Sequence, residues 1–142
     1  MRGIRGAITV EKNSKDEIHA AARELVAEIL NRNQIATEDS GAAIFSMTED
    51  LTAAFPTAGV RKISGFEFVP LFDARQLAID GSLGKCIRVL LLVETERSQR
   101  EIQHVYLRGA EKLRPDLKKL VMDFESKSNR DGRYRCNDFF ND

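Results

Sequence analysis

Residues 86–93 read Cys86-Ile87-Arg88-Val89-Leu90-Leu91-Leu92-Val93, and this apolar, branched run predicts a buried β-strand. Arg88 interrupts the run with a side chain that keeps its charge at physiological pH. A buried charge without a partner costs about several kcal/mol, so a protein carboxylate or a bound anion should face Arg88. The alternative is that Arg88 lies near a strand end and extends its guanidinium to water.

A second arginine has a similar setting near the amino terminus. Residues 3–10 read Gly-Ile-Arg-Gly-Ala-Ile-Thr-Val, with Arg5 at the third position. Strand alternation places Ile4 and Ile8 on one face, and Arg5 with small neighbours on the other. The small neighbours leave space around the Arg5 guanidinium, which favours a ligand-binding surface.

Composition predicts one soluble domain without a bias toward charged polymers. The 142 residues include 22 Lys or Arg and 22 Asp or Glu, so no overall basic field predicts a nucleic-acid partner. The longest apolar stretch is far below the ~20 residues that cross a bilayer, so no membrane partner is expected. Cys86 and Cys136 form no Cys-x-x-Cys pair, and the chain starts without an apolar signal segment. These features favour a reduced, cytoplasmic protein.

The pattern of apolar residues predicts an α+β fold, a mixed β-sheet with helices packed on one face. Ser14 and Glu17 form a capping box that starts a long helix, and Ser98 with Glu101 predicts a second long helix that ends at Pro115. Strands are predicted at about residues 2–11, 42–47, 66–72 and 86–95, with a short helix over 56–63. Residues 118–142 are predicted to form an amphipathic segment and a disordered tail beyond a domain that covers residues 1–117.

The chain offers arginines where most enzymes offer nucleophiles or metal ligands. His19 and His104 have no metal partner nearby in the sequence and are more typical of helix surfaces or core edges. Arginines suit a compact polyanion such as a dicarboxylate, and a tyrosine hydroxyl adds a hydrogen bond. The candidates are Arg5, Arg61, Arg88 and Arg114, with Tyr106. Taken singly, Arg61 and Arg114 are more typical of solvated surface positions than of a binding site.

Several segments together carry a resemblance to a known family. They are Arg2-Gly3-Ile4-Arg5-Gly6-Ala7, Phe55-Pro56 with Val60-Arg61, Val69-Pro70, Gly81-Ser82-Leu83, Cys86-Ile87-Arg88-Val89, His104-Val105-Tyr106-Leu107, and Leu113-Arg114-Pro115-Asp116-Leu117. Occurring in this order over residues 1–117, they resemble the chorismate mutases of the trimeric, barrel-like monofunctional class.

The resemblance implies conversion of chorismate to prephenate, a step toward phenylalanine and tyrosine, without a metal or other cofactor. It also implies a homotrimer that forms a pseudo-α/β-barrel, with active sites between subunits. By this resemblance Arg88 stabilises the ether oxygen, while Arg5 and Tyr106 contact the substrate. The wall of the pocket would comprise Phe55, Leu71, Phe72 and Leu113, and Arg61 and Arg114 would supply charge at the entrance or to a carboxylate.

Three features depart from the family pattern: the residues at positions 73 and 76, the residue at position 58, and a tail beyond about residue 117 that is longer than the class leads us to expect. Asp73 and Gln76 occupy positions where the family usually has a cysteine and a glutamate, and Ala58 replaces a lysine. We expect Asp73 to restore the negative charge that Gln76 lacks, which makes both residues candidates for the catalytic site. The alternative is that Asp73 is a solvated loop carboxylate.

Two other functions fit part of the sequence. An imine deaminase of a similarly folded trimeric family would also use a carboxylate-binding arginine. A degenerate homologue that binds a metabolite without catalysis is the other alternative, suggested by Gln76 and the long tail. A chorismate-consumption assay separates these possibilities.

Overall fold

A computed structural model of the protein describes residues 1–113. This part of the chain contains five strands, two α-helices and several short 3₁₀ turns. They are β1 Arg2–Thr9, α1 Lys15–Asn33, β2 Ser40–Met47, α2 Pro56–Val60, β3 Leu71–Arg75, β4 Cys86–Val93 and β5 Val105–Leu107. The predicted helix and disordered tail over 118–142 lie outside the described residues.

The strands form one mixed sheet in the order β3-β2-β4-β1-β5. β4 runs antiparallel to both β1 and β2, whereas β3 and β5 join as parallel edge strands. Both helices pack on the same face, which we call the helix face, and the main core lies between them and the sheet. The predicted α+β class with helices on one face is therefore confirmed.

Helix α1 forms as the capping box predicts. The Ser14 hydroxyl accepts a hydrogen bond from the Glu17 backbone N–H, and Gln34 ends the helix in the left-handed conformation. Apolar side chains such as Leu25 and Ile29 are fully buried against the sheet. Gly6 permits this close packing, because a Cβ atom there would lie 2.7 Å from Ile29 Cδ1.

The second helix packs even more tightly against the first. At Gly59 a Cβ atom would lie 2.6 Å from the His19 carbonyl oxygen, a backbone atom that cannot rotate away. We expect Gly59→Ala to lower the free energy of unfolding by about 1 kcal/mol, since overpacking forces the short helix α2 to shift.

Chemical denaturation of the parent protein and of Gly59→Ala measures the loss in the free energy of unfolding. The matched control is Gly41→Ala, where the nearest atom to the added carbon lies 3.6 Å away and the residue is exposed. Equal stability of the two variants would contradict the packing argument.

The predicted second long helix is wrong. The Ser98–Glu101 capping box forms, but it starts only a 3₁₀ turn over Gln99–Glu101, and the chain then enters β5. Val105 and Tyr106 belong to residue types that favour strands, and the free edge of β1 supplies their hydrogen-bonding partner. His104 therefore precedes a strand and does not lie in a helix.

The predicted third strand is also misplaced. Phe66–Phe68 forms a 3₁₀ turn that follows Gly65, whose φ of 94° suits glycine, and β3 begins only at Leu71. Asp73 consequently lies inside the strand, not after it. The other predicted ranges differ only at their ends: β1 and β4 stop at Thr9 and Val93, β2 starts at Ser40, and α2 stops at Val60.

Within residues 1–113, no helix combines the length and apolar character that a membrane span requires.

Candidate active site

Arg88 lies on the sheet face opposite the helices. It stands in register with Ala7 of β1 and Ser46 of β2, and Ala7 in turn aligns with Tyr106 of β5. Residues in register share a face, so these side chains form one row across the sheet. We call this side of the sheet the arginine face. Small residues on both sides of Arg88 leave room above the guanidinium.

The burial of Arg88 differs between its Nε atom and the side chain as a whole. Its Nε atom is buried and has no hydrogen-bond partner among the described residues, although the side chain as a whole is only half-buried. The neighbouring Cys86 thiol is fully buried, and burial raises its pKa even though the Arg88 guanidinium acts in the opposite direction. The thiol therefore stays protonated and does not neutralise Arg88.

Arg5, Tyr106 and Leu113 lie on the same face. Arg5 is exposed in β1, one row from Arg88, and Tyr106 packs with Leu113 against the small cluster of Ala7, Cys86 and Ala110. The Gly109 N–H donates to Thr9 Oγ1 at 2.9 Å, which ties the chain after β5 to the end of β1. Four predicted site residues, Arg5, Arg88, Tyr106 and Leu113, are thus brought to one surface.

A second group lies at the other edge of the sheet, around α2 and β3. Phe55 precedes α2 and is 67% exposed, and Arg61 caps the end of α2. Asp73 Oδ2 accepts a hydrogen bond from Thr57 Oγ1 at 2.7 Å, and Asp73 Oδ1 is buried without a described partner. We call this group, Phe55, Arg61 and Asp73, the α2 edge.

The two groups do not meet within one subunit. Asp73 aligns with Phe45, whose side chain is buried in the core beneath the helices, whereas the next residue, Ala74, shares the row of Arg88. Asp73 and Arg88 therefore project from opposite faces of the sheet, and β2 separates their strands by roughly 10 Å in total. Leu71 also faces the core, against which it packs. A contact between Asp73 and Arg88 of the same chain is excluded by this register.

Gln76 follows β3 by one residue. It lies two positions beyond Ala74, outside the paired part of the strand. Its side-chain Oε1 is buried without a hydrogen-bond partner among the described residues. An acceptor buried in this way suits a hydroxyl donor, which residues 1–113 do not supply.

Phe72 belongs to an apolar row that crosses the arginine face. Phe72 aligns with Ile44, Ile44 with Leu90, and Leu90 with Arg5. Phe72 is 65% exposed, Ile44 is 38% exposed and Leu90 is 37% exposed. A continuous exposed apolar row is typical of a surface that a partner covers.

The remaining predicted residue, Arg114, lies outside the described residues.

Neither histidine belongs to a metal site within residues 1–113, where no cluster of His, Cys, Asp and Glu has suitable geometry. His19 is buried on α1, and its pKa is lowered by burial and by the charges of Lys62, Lys15 and Arg23. His104 accepts a hydrogen bond from the Arg5 backbone. Sequence reasoning missed this contact because it placed His104 in a helix.

Comparisons with known proteins agree on one family. The family model "Chorismate mutase type I" matches residues 1–117. The chain is 51% identical over 118 residues to "Chorismate mutase AroH" of Thermus thermophilus, covering 82% of this chain and 96% of that protein. It is 42% identical over 117 residues to "Chorismate mutase AroH" of Bacillus subtilis (strain 168), covering 82% and 92%.

A solved structure gives the same result for the fold. The chorismate mutase from Clostridium thermocellum superimposes with a TM-score of 0.77 at 39% sequence identity, covering 79% of this chain and 99% of that chain. The family model spans every described residue, including the strands that carry Arg5 and Arg88. On this evidence, the chain belongs to the family of type I chorismate mutases.

Proposed function

We propose that this protein converts chorismate to prephenate in the cytoplasm, as a homotrimer with active sites between subunits. The observation that carries the proposal is the setting of Arg88, a permanently charged side chain on a sheet face that supplies it with no described carboxylate. Such a cation suits an anionic substrate, and membership of the chorismate mutase family indicates which one.

The reaction matches what the arginine face offers. The rearrangement is intramolecular, so the protein has to hold the substrate in a compact conformation and stabilise the charge that develops. The ether oxygen gains negative charge as its bond to carbon breaks, and a fixed guanidinium at that oxygen stabilises the transition state more than the substrate. We assign this role to Arg88, and we assign contacts with the rest of the substrate to Arg5 and Tyr106.

A pocket between subunits would unite the two separated groups. The arginine face presents cations, and the α2 edge presents Phe55, Arg61 and Asp73, yet the sheet keeps these groups apart in one chain. If the α2 edge of one subunit packs beside the arginine face of the next, both groups line one cleft. The exposed row of Phe72, Ile44 and Leu90 supplies apolar surface for such packing.

The direct test is to follow the loss of chorismate absorbance with the purified protein. Formation of prephenate at a rate proportional to protein concentration is the expected result. Consumption of an imine substrate in place of chorismate would support the deaminase, and binding without turnover would support a degenerate homologue.

We expect the active species to sediment as a trimer, and we expect Leu90→Asp to dissociate it and reduce activity in parallel. A carboxylate placed in the apolar row would lose its water on assembly, which opposes association. Ala27→Asp, on the exposed side of α1, adds the same charge away from the row and should leave both properties unchanged. A fully active monomer in sedimentation velocity would contradict the proposed site between subunits.

A further inference from the structure

His104 makes an unusual connection at the point where two strands begin to pair. The β1–β5 ladder starts at Gly6 and Val105, so Arg5 and His104 stand one step before it. At this step the His104 side chain takes the place of a backbone acceptor. Its Nδ1 atom accepts a hydrogen bond from the Arg5 backbone N–H at 2.9 Å. The bond requires an imidazole whose Nδ1 carries no proton.

Gln103, the residue before His104, is held by hydrogen bonds to Asn33 of helix α1. The fully buried Asn33 accepts a hydrogen bond from the Gln103 N–H through Oδ1 and donates through Nδ2 to the Gln103 carbonyl, both at 2.8 Å. Asn33 Nδ2 also donates to the Ile29 carbonyl at 2.9 Å. Because Asn33 of α1 binds both the N–H and the carbonyl of Gln103, the backbone position of the next residue, His104, is fixed as well.

We propose that His104 is a positioning residue for Arg5, and through Arg5 for the substrate. The inference rests on the proposed function, since it assigns His104 to that same pocket. Asn33 anchors the chain, His104 links it to the Arg5 backbone, and Tyr106 follows two residues later on the arginine face. The imidazole thus fixes the spacing between the two side chains that we assign to substrate binding.

The test compares two substitutions at position 104. In His104→Asn the amide oxygen stands close to where Nδ1 was and can still accept from Arg5, whereas His104→Phe keeps a ring and removes the acceptor. We expect His104→Phe to raise KM for chorismate about fivefold with kcat within twofold, because Arg5 contacts groups present in both substrate and transition state. His104→Asn should stay within twofold in both constants.

Repeating the His104→Phe substitution in an Arg5→Ala protein separates a positioning role of His104 from a general structural role. If His104 acts through the Arg5 side chain, then in an Arg5→Ala protein the added His104→Phe change should alter KM by less than twofold. An equal rise in both backgrounds would overturn the proposal, and so would a fall in kcat with KM unchanged, which indicates loss of folded enzyme.

Hydrogen exchange of the Arg5 amide gives a readout that needs no substrate. Exchange should accelerate in His104→Phe and stay near the parent rate in His104→Asn. An unchanged rate in His104→Phe would overturn the proposal even if the enzyme is active. If the parent protein consumes no chorismate, the proposed function fails, and the exchange rate alone decides whether His104 holds Arg5.

Discussion

Arg88→Lys is expected to lower kcat for chorismate by about 100-fold to 1000-fold while KM changes little. Loss of one fixed donor at a developing oxyanion costs roughly 3 to 4 kcal/mol of transition-state stabilisation. Lysine keeps the positive charge but loses the planar donor geometry, so it cannot replace the guanidinium at the same distance and angle. A neutral isostere of arginine should fail for the complementary reason, because it keeps the shape and loses the charge.

The control for this prediction is Arg32→Lys on α1. Arg32 is exposed, pairs with Glu28 at 2.9 Å and lies on the other side of the sheet from Arg88. It should show parent values of kcat and KM, measured by chorismate absorbance over a range of substrate concentrations. An Arg88→Lys enzyme within threefold of the parent would refute the role assigned to Arg88.

The sequence predicts α1 well because its signals are local. The Ser14 cap, the spacing of Leu25 and Ile29, and the length of the periodic segment all act within one element. The strand β5 could not be predicted in the same way. Three residues carry too little pattern, and their conformation depends on the free edge of β1, which is distant in the sequence.

In the candidate site too, positions set by local sequence could be predicted, and positions set by distant strand pairing could not. Placement of Arg5 opposite Ile4 and Ile8 follows from alternation within one strand, and the structure agrees. The face of Asp73 depends on where β3 starts and which residue of β2 it meets, and neither is encoded locally. The register of Asp73 with Phe45 was therefore beyond prediction.

That register changes how the missing family glutamate has to be explained. Gln76 provides a buried amide oxygen but no negative charge, whereas Asp73 provides a carboxylate that already holds Thr57 of α2. Asp73 cannot reach Arg88 of its own chain. In the proposed trimer it can act on the substrate only from the α2 edge of a neighbouring subunit, where its carboxylate would add negative charge beside the cleft.

We expect Asp73→Asn to lower kcat about tenfold or more, which corresponds to at least ~1.4 kcal/mol of transition-state stabilisation. A carboxylate in the cleft would balance Arg88 and favour the positive character that the ring fragment gains as the ether bond breaks. Asparagine keeps an oxygen that can accept from Thr57, so the substitution removes charge and spares the contact with α2. Thr57→Val does the reverse, and it separates the two roles of Asp73.

Gln76→Glu should help little, because a second carboxylate close to a dianionic substrate adds repulsion. The paired change Asp73→Cys with Gln76→Glu should restore turnover, since it moves the charge to the position where the family usually has it. If Thr57→Val costs as much as Asp73→Asn, the carboxylate acts by holding α2 in place. If Asp73→Asn is silent while Gln76→Glu raises kcat sharply, the charge has not moved to position 73, and the chain is a weakened member of its family.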